Sequence, residues 1–454
     1  MGRKHPPLRF ELPIDAEPPR LVNPERGVAR ASVRAGSDVP VDVTVLDTPD
    51  CRLLRAGVIL AHRISDGIGD WYFAAPDWSV LPNERVEPVG AAAELPEQFA
   101  RWIRPIHRLA LIGPIAAVRR RRTEYTLRDE AGDAVGEVRD DIVSVRRGGA
   151  TVAKYREVTV QPKGLDEDGI AAITDALCAV GTPTDAFPRL QDRIGPPATG
   201  LSDFPDPEPL YDQMTLDRFV RRLFALRLRD VVLADLVLLR GKASSRALVA
   251  ALHKTALDVR GLSSVLEPRW RETLEGELAV LSHIDPDSTE RPLQGQELLG
   301  VIDSLVSAAR APRLGDLSQH SADEVFIEKV TAGTVILLDR CVSLQVDAPT
   351  ERWVAALRAA EQLRFTAAVG AELRPRVAKK FLKLLDRLIE GLEPATRDVA
   401  GITDEALAEL TLREAWQVGY DTARAQDDVA ASRAEFVSVW PGDIKALRKL
   451  VKRA

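Results

Sequence analysis

The chain has 454 residues, 45% hydrophobic and 29% charged, with a formal net charge of −6. That length suffices for two or three domains, and this composition excludes a disordered chain. The negative balance argues against non-specific nucleic-acid binding. Cys51, Cys178 and Cys341 lie far apart without metal-ligand spacing, and their odd number fits a reducing compartment. MGRKHPPLRFELP has no apolar signal-peptide core, and no run of about 18 or more apolar residues is present. A cytoplasmic protein with no membrane or nucleic-acid partner is expected.

The first half reads mainly as strands. Leu8–Ile14 is the first, and Val41–Val45 is alternating and β-branched. Asp47-Thr48-Pro49-Asp50 is turn chemistry, and Leu53, Leu54 and Gly57 make one helical turn with a glycine stop. Val58–Arg63 and Asp70–Pro76 are strand-like, and Arg85-Val86-Glu87 puts Arg and Glu on one strand face. Leu95–Arg104 is a packing helix with Leu95, Phe99, Trp102 and Ile103 on its apolar side. The stretch Ile115–Asp133 contains VRRRRTEYTLRDEAGD. On a strand, Arg119 and Arg121 share one face, and Arg120 and Arg122 the other. Ala134–Val145 and Lys154–Gln161 are strands around a hairpin turn at Arg146–Gly149, and Leu165–Val180 is a helix. The Pro-, Gly- and Asp-rich stretch Gly195–Tyr211 marks a domain boundary.

From Met214 onward the pattern is helical. Helices are expected at Leu216–Arg240, Arg246–Leu266, Arg269–His283, Leu293–Arg310, Asp323–Leu344, Thr350–Val369 and Arg374–Glu393. Three more follow at Thr403–Gln426, Asp427–Val439 and Asp443–Lys452. Long helices with short loops make antiparallel bundles. The fold class is therefore α+β, with a β domain at 1–194, a linker at 195–213 and an all-α domain at 214–454.

Two stretches of the first half carry a family resemblance. DTPDCRLLRAG at 47–57, followed by VILAHR, resembles the signature turn of the CYTH domain, whose usual form is YDTPDLRLLRAGVTLRRR. VRRRRTEYTLRDEAGD resembles the family's P-V-x-R-L-R-T-R-R-T-x-Y-x-L-x-D-x-x-G. Asp70–Pro76 is similar to G-W-x-L-K-x-P, with Ala74 at the Lys position. The resemblance implies an antiparallel β-barrel, the triphosphate tunnel, with divalent metal on carboxylates and phosphates on basic residues. The family's E-x-E-x-K falls on His5, Pro7 and Arg9, so only the positive charge remains. Its closing W-x-E-x-E-x-E keeps Glu157 and has Thr159 and Gln161 in place of the other acids. Arg9, Arg63, Arg85, Arg119 and Arg121 are thereby the expected phosphate-binding residues, with Arg119 and Arg121 directed into the tunnel. Glu87 and Glu157 are the candidate metal ligands, with Asp141 a third.

The second half resembles a CHAD domain, which implies two four-helix units around a basic groove for inorganic polyphosphate. LHKTALDVRGLSS falls on V-H-x-x-R-V-x-x-R-R-L-R-S, matching His253 and Arg260. WVAALRAAEQLRFTAAVGAE resembles the second repeat, with Arg364 at the Arg of L-R-Y. Arg376, Lys379, Lys380 and Lys383 form the densest basic face. Trp416–Tyr420 is similar to a C-terminal helix in which Gly allows close packing.

The resemblance fits a phosphate- or polyphosphate-binding or scaffold protein whose triphosphate tunnel has lost its catalytic acids. The alternative is a triphosphate hydrolase using Mg²⁺ or Mn²⁺ on Glu87 and Glu157. A third reading is a protein-interaction module with a protein partner and no phosphate ligand.

Overall fold

The structure is a computed structural model that describes residues 5–90, 94–241, 244–282, 295–399 and 410–451. It is α+β. Contacts divide the chain into a first unit, Met1–Asp203 with Leu239–Gly241, and a second, Phe204–Leu238 with Lys242–Ala454.

The first unit is built on one antiparallel sheet. Its strands are β1 (Leu8–Leu12), β2 (Arg30–Val33), β3 (Pro40–Asp47), β4 (Ile59–Ser65) and β5 (Ile68–Ala74). They continue as β6 (Glu84–Pro88), β7 (Gly113–Arg128), β8 (Ala134–Arg147), β9 (Ala150–Pro162) and β10 (Thr182–Pro183). The order is β10-β1-β9-β8-β7-β3-β4-β5-β6, with β2 also paired to β7. The expected closed barrel is therefore corrected to an open, curled sheet. Its end strands do not pair, and both are poor partners. β10 has two residues and includes Pro183; β6 has five and ends in Pro88. Proline gives the ladder no N–H, which confines it to edges.

The long meander β7–β9 forms the wall. Its β8–β9 turn needs two left-handed residues, and Gly148 and Gly149 supply them at φ 55° and 83°, as the tightest hairpin turn requires. The convex face of β1, β8 and β9 packs Phe10, Val158 and Val160 against Ile173 and Leu177 of helix α3 (Glu167–Cys178). Three short helices complete the unit: α1 (Arg52–Arg55), α2 (Glu97–His107) and α4 (Leu190–Ile194). α1 and α4 contribute Leu54 and Ile194 to a cluster with Val45, Val118 and Val143, which closes the floor of the curl.

The DTPD turn organises α1. The fully buried Asp47 carboxylate accepts the backbone N–H groups of Thr48, Leu53 and Leu54 at 2.6, 2.9 and 2.9 Å. Burial raises its pKa against the pull of those three donors. Asp203, 1% exposed, accepts Arg55 at 2.8 Å and also Arg108. Residues 195–203 thus fold into the first unit, with Ala198 buried beside α4.

The second unit contains eight helices among the described residues. They are α5 (Leu216–Leu239), α6 (Arg246–Gly261), α7 (Pro268–Ser282), α8 (Gln296–Arg310), α9 (Ala322–Val342), α10 (Thr350–Gly370), α11 (Pro375–Ala395) and α12 (Leu412–Val451). α10 is central and packs on α6, α9 and α11. Gly261 allows the α6–α10 approach, since a Cβ there would stand 2.5 Å from the Phe365 carbonyl oxygen. Buried Arg227 of α5 holds Asp258 of α6 and Asp230 of its own helix.

The three expected C-terminal helices are one, α12. The expected starts at Leu293 and Thr403 and the ends at His283 and Lys452 lie outside the described residues. Pro441 lies inside α12 and removes one helix hydrogen bond, a cost of about 3 kcal/mol. The apolar face continues across it: Phe436, Trp440 and Leu447 are all buried in the cluster with α11, and Phe436 stacks on Trp440 at 5.8 Å. That packing offsets the break which the proline alone suggests.

Asp203→Ala leaves two guanidinium groups without their shared carboxylate, one of them on the buried Arg108. Removing one partner of a buried pair costs about 3–5 kcal/mol. Chemical denaturation followed by circular dichroism should show the first unit destabilised by that amount; a loss below about 1 kcal/mol contradicts this role.

Candidate functional site: the arginine-lined cup

The curl encloses a cavity of about 1140 Å³, lined from β1 and β3 to β9 and by Arg34, Phe187 and Leu190. Six arginines line it: Arg9, Arg34, Arg63, Arg120, Arg122 and Arg139. Five carboxylates, Glu84, Glu124, Glu137, Asp141 and Glu157, share the same wall. The cup is therefore polar and nearly charge-balanced above an apolar floor.

Strand register explains the arrangement. Arg122 of β7 faces Asp141 of β8, which faces Glu157 of β9, which faces Glu11 of β1. One lateral row thus carries three acids and an arginine. Arg122 grips Asp141 with two parallel bonds, Nε–Oδ1 at 2.7 Å and Nη2–Oδ2 at 2.8 Å. Arg193, at the end of α4, reaches over the Tyr155 ring at 4.1 Å. It meets Glu11 at 2.6 Å and Glu157 at 3.3 Å. Burial raises the Glu157 pKa, Arg193 pulls it back, and Asp141 and Glu11 raise it further. Burial likewise pushes the Tyr155 hydroxyl up to about 12.

Arg120 is in a different state from Arg122. Its Nε is buried with no hydrogen-bond acceptor, and Asp141 Oδ1 lies 3.9 Å away. Burial, and next the charge of Arg122, lower its pKa. A cation so placed is short of anionic company.

The expected residues divide as follows. Arg9 and Arg63 line the cup, Arg9 donating to the Asp185 carbonyl at 2.9 Å and Arg63 to Asp70 at 2.7 Å. Arg119 and Arg121 do not line it, which corrects the expected direction of this strand. They lie on the opposite face with Asp38, Pro40, Ile142 and Ser144. There Arg121 binds Asp38 through two bonds at 2.7 and 2.6 Å, and Arg119 lies 3.7 Å from Asp42. The same alternation turns Arg120 and Arg122 inward. Arg85 and Glu87 are also corrected. Glu84 of β6 lines the cup, whereas Arg85 and Glu87 pair with each other, and Glu87 accepts from Gln98 of α2.

The metal that the resemblance implies does not fit the residues present. Among the described residues, no three His, Cys, Asp or Glu side chains gather so as to hold an ion. Glu87 lies on the wrong face, and Glu157 and Asp141 are taken by Arg193 and Arg122. Thr159 and Gln161 continue the Glu157 face without carboxylates.

No family model matches the chain, and no curated protein does. Among solved structures, a candidate adenylate cyclase from Vibrio parahaemolyticus is similar over 43% of this chain and 99% of its own, at 13% identity and a TM-score of 0.22. A second, from Bacillus halodurans, is similar over 35% of this chain and 94% of its own, at 14% identity and a TM-score of 0.22. Overlap at that level carries no argument about this chain.

The helical candidates separate into two groups. His253 and Arg260 are exposed on α6, with the Arg260 guanidinium 5.9 Å from the Phe365 ring centre. Arg364 of α10 is engaged by Asp386 of α11. Arg376, Lys379, Lys380 and Lys383 are all exposed along α11, at helical spacing that puts them on one side. No helix among the described residues is long and apolar enough to cross a membrane.

Sequence reading missed Arg34, Arg139, Arg193 and Glu11. Arg139 was within reach: in GEVRDDIV it alternates with Glu137 and Asp141, opposite Val138. Arg34 comes from the segment after β2 and Arg193 from the five-residue helix α4, both too short for periodicity to point to them.

The Glu157 carboxyl gives a pH signature. A folded pKa raised above the unfolded value contributes stability that is full below the unfolded pKa and is lost as pH rises through the folded one. Glu157→Gln should therefore gain melting temperature relative to the parent as pH rises from about 4.5 to 7.5. A difference that stays constant or falls contradicts the assignment.

Proposed function

We propose that the first unit binds a compact polyanion of the phosphate or triphosphate class in its cup, and that it works as a binding or scaffold domain rather than as a metal-dependent hydrolase. The observation that carries this is Arg120. A half-buried guanidinium that lines a large cavity beside a second arginine, with no close acceptor for its enclosed Nε, is suited to phosphate oxygens reaching it from the cavity. Arg9, Arg63 and Arg139 supply further cationic wall. The carboxylates set the limit: a ligand competes with Asp141 for Arg122 and is repelled by Glu157. Only a densely charged anion gains enough from several guanidinium groups at once. The CYTH-like turn supports the same class of ligand.

Hydrolysis is the weaker reading, because its metal ligands do not assemble and no step is derived through them. For the second unit, the α11 face supports an outer polyphosphate contact of the CHAD type. Arg376, Lys379, Lys380 and Lys383 present four cations to solvent, and long polyanions are held by such stripes through counterion release.

Calorimetric titration with tripolyphosphate at low salt tests the cup. Arg120→Ala should weaken binding about tenfold or more, equivalent to about 1.4 kcal/mol, while Arg121→Ala should leave it unchanged. Equal losses, or no binding by the parent protein, overturn the reading. Protonation of Glu157 removes a negative charge, so affinity should rise as pH falls through its raised pKa. For the outer face, long-chain polyphosphate binding should fall with salt at a log–log slope of about −3 for four single-strand-like contacts. Neutralising Lys379, Lys380 and Lys383 together should flatten that slope; an unchanged slope removes the α11 contact.

A further inference from the structure

In the first part of α12, Ala415, Val418, Thr422 and Ala425 are half-buried, and another side of the helix is exposed. From Val429 onward the helix buries Val429, Phe436, Trp440 and Leu447. Before that point the exposed side carries large apolar groups: Leu412 is 93% exposed, Trp416 66% and Tyr420 53%. Among the described residues nothing packs close at Gly419, where a Cβ would meet no atom within 4 Å. Trp416 and Tyr420 stack on one another at 5.6 Å and 13°, forming an aromatic plate on one side of an exposed helix. Exposed tryptophan and tyrosine in such a plate are the residue types that anchor interfaces.

The charges on this face specify its occupant. Arg413 and Asp427 stand seven residues before and seven after Tyr420, on the same side of the helix at 3.6 residues per turn. Both are exposed. We propose that this stretch of α12 pairs antiparallel with the same stretch of a second copy of the chain, about a two-fold axis at Tyr420. Each Arg413 then lies level with Asp427 of the other copy, and Tyr420 meets its own counterpart. Trp416 lies level with Arg424 of the other copy, which brings a guanidinium to the indole face. A parallel pairing would set Arg413 against Arg413 and Asp427 against Asp427, so the charge order selects the antiparallel one. Isologous contacts of this kind close at two copies. A single helix pair is a small interface, so the dimer should be weak, with Kd on the order of micromolar.

Sedimentation velocity on the full chain over a range of concentrations tests this. The expected result is a reversible shift from one to two chain masses. Arg413→Asp should weaken the association about tenfold or more, and Arg413→Asp combined with Asp427→Arg should restore it. In a Cys178→Ser background, which removes the one exposed thiol among the three cysteines, Tyr420→Cys should form an intermolecular disulfide under mild oxidation. A monomer at every concentration overturns the proposal and leaves the face to a protein of different sequence. A dimer indifferent to Arg413→Asp, with no Tyr420→Cys cross-link, overturns it as well.

Discussion

The cup depends on a two-residue alternation held in phase across β7, β8 and β9. Successive side chains on a paired strand point to opposite faces, so shifting a strand's phase by one residue exchanges all its inward and outward groups. In β7 four consecutive arginines leave that phase unmarked by hydrophobicity. Charge fixes it instead. Asp141 on β8 holds Arg122 inside with two bonds, and Asp38 holds Arg121 outside with two more. Those two forks decide which guanidinium groups face the cavity.

Much of the fold was legible. The alternation in Val41–Val45, the turn chemistry after it and the period of the helical half place most elements within a few residues. The site was less so, for a physical reason. Val118 and Leu127 lie at opposite parity in β7 and both are buried, so the apolar residues of that strand vote for both phases. Only the register with β3 and β8 settles the matter, and register is a long-range property. Barrel closure was beyond reach in the same way, because it depends on whether β6 and β10 meet. The two helices expected at Asp427–Val439 and Asp443–Lys452 are joined through Pro441 because the apolar face of Phe436, Trp440 and Leu447 runs on across it.

The picture of a tunnel stripped of acids also changes. The cup retains carboxylates, but as partners of arginine rather than as a cluster for metal. Asp141 orients Arg122, and Glu157 shares Arg193 with Glu11. An acid that holds a guanidinium in place contributes to anion recognition by fixing geometry, at the cost of some of the attraction. This leaves Arg120, whose Nε has no hydrogen-bond acceptor, as the centre of the proposed anion site. In the second unit the basic face of α11 and the aromatic face of α12 lie on separate helices, so losing one leaves the other intact.

The central claim is that Arg120 and Arg122 face the cavity while Arg119 and Arg121 face away. Arginine-selective dicarbonyl labelling, read by peptide mass spectrometry with and without tripolyphosphate, tests it most directly. The account predicts fast labelling of Arg119 and Arg121 that the anion does not alter, and slower labelling of Arg120 and Arg122 that the anion suppresses. Suppression at Arg119 and Arg121 instead would contradict it.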